Sequence, residues 1–95
     1  MIEIRIQKEA GPFAENKDIA RDLRLKKIVP ALERSEEVTL NFKGVEGATQ
    51  SFVHALISDV IRKYGIQILD NLLFKDCNET VQKIIGIVTD YMQES

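Results

Sequence analysis

The chain has 95 residues, 44% of them apolar and 29% charged, a composition that fits one globular domain over residues 1–95 and speaks against disorder or a second domain of ordinary size. Thirteen Lys and Arg against fifteen Asp and Glu give a net charge of −2, so no cationic field favours nucleic acid or an anionic membrane surface. The opening Met-Ile-Glu-Ile-Arg-Ile-Gln lacks a signal-peptide pattern, and apolar runs such as Ile84 to Val88 are too short to span a bilayer. A cytoplasmic protein is therefore expected, and the single Cys77 suits a reducing compartment.

The hydropathy pattern predicts an α/β domain with three strands and three helices in β-α-β-α-β-α order, an alternation that implies crossovers and a short, mainly parallel sheet. Strand one spans Ile2 to Ile6, where three isoleucines alternate with Glu3 and Arg5. After the break at Gly11-Pro12, Ala14 to Arg34 carries Ile19, Leu23, Ile28, Ala31 and Leu32 at helical spacing. Pro30 lacks a backbone donor, which predicts a kink or two helical pieces meeting near Val29. Strand two spans Glu37 to Phe42, followed by the glycine-punctuated loop Lys43 to Ala48.

A second helix follows that loop, with Phe52, Leu56, Val60 and Tyr64 as its stripe, Ile57 and Ile61 beside it, and Gly65 at its end. Strand three spans Ile66 to Phe74, with a bulge or turn at Asp70-Asn71. The last helix is expected to begin near Asp76, where Asp76 and Glu79 have capping-box spacing, and to bury Val81, Ile84, Ile85, Val88, Tyr91 and Met92.

The segment from Val38 through Lys43-Gly44-Val45-Glu46-Gly47-Ala48-Thr49-Gln50-Ser51-Phe52 to Leu56 resembles the central strand, loop and helix start of STAS domains, the fold of bacterial anti-sigma-factor antagonists. Thr49-Gln50-Ser51 falls on that family's Asp-Ser-Ser stretch, with Thr49 in place of the aspartate and Phe52 in place of a glycine. Thr49-Gln50-Ser51-Phe52, with Phe74-Lys75-Asp76-Cys77-Asn78-Glu79 before an amphipathic helix, is similar to the small STAS-like domains of unknown function. The resemblance implies a regulatory surface at Lys43, Gly44, Val45, Glu46, Gly47, Thr49, Gln50 and Ser51. It also implies a protein partner such as a histidine-kinase-like ATPase or anti-sigma-type kinase, and loss of docking when Ser51, or less directly Thr49, is phosphorylated. A serine in a first helical turn can hold a phosphate there without unfolding the helix. The plainer reading makes Ser51 an ordinary first-turn residue and Thr49 a helix cap.

Other chemistries find little support. His54 lies one turn after Ser51, yet no base, orienting group and oxyanion site can be assembled around them, so His54 reads as a solvated surface residue and no catalytic residue is assigned. Cys77, just inside the last helix, would have its pKa lowered by the helix dipole, or would simply pack. One Cys and one His make no zinc site, so neither metal nor cofactor is expected. Lys43-Gly44-Val45-Glu46-Gly47 lacks Walker or Gly-x-Gly-x-x-Gly spacing, although a ligand at the glycine loop and helix start stays open as a rival reading. Arg21, Arg24, Lys26 and Lys27 are offset by Glu15, Asp18 and Asp22, the pattern of a solvated helix face. The reading is a non-enzymatic interaction module, with a constitutive scaffold or homodimer of the same fold as its rival.

Overall fold

A computed structural model describes residues 1–94 of the chain. The elements run β1 (Ile2–Arg5), α1 (Ile6–Ala10), β2 (Phe13–Ala14), α2 (Lys17–Leu23), a π-helical turn (Arg24–Ile28) and α3 (Val29–Glu33). They continue as β3 (Val38–Asn41), β4 (Gly47–Ala48), α4 (Gln50–Tyr64), a 3-10 turn (Ile66–Asp70), β5 (Leu72–Lys75) and α5 (Glu79–Glu94). The β1, β3 and β5 strands form a parallel sheet in that order, and β2 pairs with β4 as a two-residue parallel ribbon.

Register explains the sheet's two faces. Ile2, Val38 and Leu72 lie side by side, as do Ile4, Leu40 and Phe74. These residues meet the buried side chains of α2, α4 and α5 in one core. The opposite face carries Glu3, Arg5, Thr39, Asn41, Leu73 and Lys75. There Glu3 accepts a hydrogen bond from Asn41 Nδ2 at 3.2 Å and pairs with Lys75 at 3.6 Å. A strand order that never reverses places its right-handed crossovers on one side, and the second face is polar apart from Leu73.

The helix broken by Pro30 forms as a helix with a π turn in it. Val29 N–H donates to Arg24 O, five residues back, and α3 starts at Val29, where the sequence predicts the join. Widening the turn relieves the clash between the proline ring and the carbonyl before it, at a position where Pro30 could donate nothing. This helix begins at Lys17 and not at Ala14, because Asn16 caps it by accepting from Asp18 N–H at 2.9 Å while Ala14 joins the ribbon.

Three other boundaries differ from expectation. Ile6 leaves the first strand to open α1, where it is buried. Ile66–Asp70 is a 3-10 turn and not strand, held by Ile68 N–H to Gly65 O at 3.1 Å and Asn71 N–H to Ile68 O at 2.9 Å. Only Leu72–Lys75 reach pairing register with β3. The last helix is capped by Asn78, whose Oδ1 accepts from Val81 N–H at 2.8 Å. Asp76 instead takes a left-handed backbone, φ 55°, so the Asp76–Glu79 capping box does not form.

In α5, Val81, Ile85, Val88 and Met92 are buried, Ile84 is half-buried and Tyr91 is exposed. Gly86 sits in the middle of this helix, and a Cβ there would meet nothing within 4 Å. Gly86→Ala is accordingly expected to stabilise the domain by about 0.5–1 kcal/mol, by narrowing the unfolded ensemble at no steric cost. Thermal melts check it: the midpoint rises by about 4–8 °C per kcal/mol in a domain of this size.

Candidate interaction surface around Ser51

The loop after β3 is built by its own side chains. Asn41 Oδ1 accepts from Lys43 N–H at 2.8 Å and turns the chain out of the sheet. Gly44 follows at φ +83°, a left-handed conformation that a side chain would strain, with Gln7 Cγ 3.3 Å from where a Cβ would stand. Val45 then folds back into the core with 3% of its surface exposed, its N–H donating to Phe42 O at 2.9 Å. Val45 is thus an anchor and not a contact residue, because burial of its side chain offsets the cost of ordering the loop. Lys43, Gly44 and Glu46 are exposed, and Gly47 is half-buried.

The loop is held from both sides. Glu46 and Gly47 N–H donate to Pro12 O at 2.7 and 3.3 Å, and Thr49 N–H donates to Ala14 O at 2.9 Å. Asn78 Nδ2 donates to the carbonyls of Val45 at 3.3 Å and Glu46 at 3.0 Å. A phosphate cradle needs free, converging N–H groups. Those of Lys43, Val45, Glu46 and Gly47 are already bonded within the chain, which counts against the glycine-loop ligand reading.

Thr49 caps α4 as expected, its Oγ1 accepting from Phe52 N–H at 3.1 Å. Gln50 and Ser51 follow in the first turn, both exposed, ahead of the α-helical hydrogen-bond ladder. Ser51 lines an open depression of about 440 Å³ with Lys17, Gln50, His54 and Ala55. Lys17, at the start of α2, is the cation at this site, and the sequence reading did not single it out. Helix–helix packing brings it there, and no local pattern marks it.

His54 is half-buried and not fully solvated: its Nδ1 lies 3.3 Å from Ser58 Oγ, and its ring centroid is 6.5 Å from that of Tyr91. Beyond Thr49, an apolar groove of about 220 Å³ is lined by Phe13, Glu15, Gly47, Ala48 and Thr80 among others, and Phe13 is 60% exposed. An aromatic ring that exposed beside an apolar groove is the kind of feature that marks contact surfaces. Its sequence signal was an aromatic directly after the Gly11-Pro12 turn.

Cys77 stands before α5 and not inside it, half-buried, with Sγ 3.8 Å from Lys75 O. Burial, aided by the charge of Asp76, pushes its thiol pKa up. That is the reverse of the expected helix-dipole effect and of what a nucleophile needs. Among the described residues, no group of three or more His, Cys, Asp or Glu side chains could hold a metal ion, and no helix is long and apolar enough to cross a membrane.

A family model for STAS-like domains of unknown function matches residues 20–82. That span includes β3, the pinned loop, all of α4 and the start of α5. No curated protein and no solved structure matches the chain.

Proposed function

The chain belongs to the family of STAS-like domains of unknown function, and from that premise we propose that it is a non-enzymatic, cytoplasmic protein-interaction module controlled by a phosphate on Ser51. The docking surface is the exposed part of the loop, Lys43, Gly44 and Glu46, continued by Thr49, Gln50 and Ser51. Its partner is a protein of the histidine-kinase-like ATPase or anti-sigma-type kinase class. The observation that carries the reading is the placement of Ser51. It is exposed in the first turn of α4, in one depression with Lys17, and next to a loop fixed by hydrogen bonds on both sides. A fixed loop lowers the entropy cost of docking. A phosphate at that serine gains the helix N-terminus and Lys17 in the free protein. In a packed interface the same charge must be desolvated.

The test is recovery of partners by wild type, Ser51→Ala and Ser51→Asp used as baits, with melts in parallel. Ser51→Ala is expected to match wild type. Ser51→Asp is expected to recover at least about tenfold less. A carboxylate at a helix N-terminus is mildly favourable, about 0.3–1 kcal/mol, so unfolding would not account for the loss. Equal recovery by all three variants would replace the switch with a constitutive scaffold.

A further inference from the structure

Helix α5 carries a second seam beside its core face, which the fold covers only in part, at half-buried Ile84. Thr80, Ile84, Ile87 and Tyr91 recur at spacings of four, three and four residues, the repeat of a helix that packs on another helix. Ile87 is 49% and Tyr91 58% exposed, whereas the core face of the same helix is buried. Beside the seam stand Lys83 and Asp90, both exposed and without an ion pair among the described residues.

The seam is self-complementary. We propose that α5 docks antiparallel on α5 of a second copy of this chain, making a symmetric homodimer. With Ile84 of each copy set against Ile87 of the other, the heptad register puts Tyr91 of each copy against Thr80 of the other. It also puts Lys83 opposite Asp90 of the second copy, twice over, which is the charge pattern an antiparallel helix pair requires at its flank. A parallel pairing would instead set Lys83 of each copy against Val88 of the other and leave the two charges without each other. Thr80 also lines the apolar groove beside Phe13. The exposed ring of Tyr91 from one copy therefore meets a small side chain and a groove with an aromatic at its edge on the other. The proposal does not rest on phosphorylation of Ser51.

Sedimentation of the full chain over a concentration series, up to on the order of 100 μM, tests it. A single helix pair buries less than the ~1,200 Å² of a standard interface, so the dimer is expected to dissociate on dilution. Ile87→Lys should leave a folded monomer. Lys83→Asp and Asp90→Lys should each weaken association about tenfold, and the two together should restore it to within a few-fold of wild type. Melts of every variant establish that each is folded. A monomer throughout the series overturns the proposal, as does a dimer that survives Ile87→Lys or a charge-swapped double variant no tighter than its single parents.

Discussion

Val88→Asp is expected to abolish the cooperative thermal transition altogether. Val88 is 1% exposed, on the face of α5 that faces the core, in a helix packed on α4. The substitution forfeits roughly 1.5–3 kcal/mol of apolar burial and asks a carboxylate to ionise without a partner, at a further cost of several kcal/mol. A domain of this size has about 5–15 kcal/mol of net stability, of which the lower half is realistic below 100 residues. Ile87→Asp is the control, one residue away on the exposed seam, and at dilute protein it should shift stability by less than about 0.5 kcal/mol. Circular dichroism melts of both variants distinguish the phase of the helix. A folded Val88→Asp, or an unfolded Ile87→Asp, would mean that the buried face of α5 is not the one described.

The contrast between those neighbours shows what the sequence could and could not disclose. Period and spacing located α4 and the buried set Val81, Ile85 and Val88, because burial repeats with the helix. The same spacing enrolled Tyr91 in the core, since α5 has two apolar stripes and the pattern does not say which one the chain covers. Pro30 announced the disruption near Val29 through its missing donor, although a π turn in place of a simple kink depends on the three-dimensional fit. Ile66–Asp70 misled because a β-rich run must also reach a partner strand in register, and Gly65 turns the chain too late for that. At the candidate site, Thr49 and Ser51 were legible from the helix start. Val45 was not, because an apolar residue in a glycine loop reads equally well as an exposed contact or as an anchor. Lys17 reaches the site through long-range packing, which leaves no trace in local spacing, and the one local sign of Phe13 was an aromatic directly after the Gly11-Pro12 turn.

Asn78 joins these levels, and its two hydrogen-bonding ends can be separated experimentally. Its carbonyl oxygen accepts from Val81 N–H and caps α5, while its amide nitrogen donates to Val45 and Glu46 carbonyls and ties the loop down. Asn78→Ala removes both and is expected to cost about 1–2 kcal/mol, most of it the cap, because the residue is exposed and water replaces part of the loop contact. The melting midpoint should fall by about 4–8 °C for each kcal/mol lost. Asn78→Asp keeps an acceptor for Val81 and adds a charge that the helix N-terminus favours. It also turns an acceptor toward two carbonyls that had a donor. Its midpoint should therefore lie between wild type and Asn78→Ala, while the amides of Glu46 and Gly47, which donate to Pro12 O, exchange with solvent as fast as in Asn78→Ala. Melts report the cap and hydrogen exchange reports the loop. If Asn78→Asp protected those two amides as well as wild type does, the loop would be held by Pro12 alone. The exposed edge from Lys43 to Glu46 would then owe its position to β2 and not to α5.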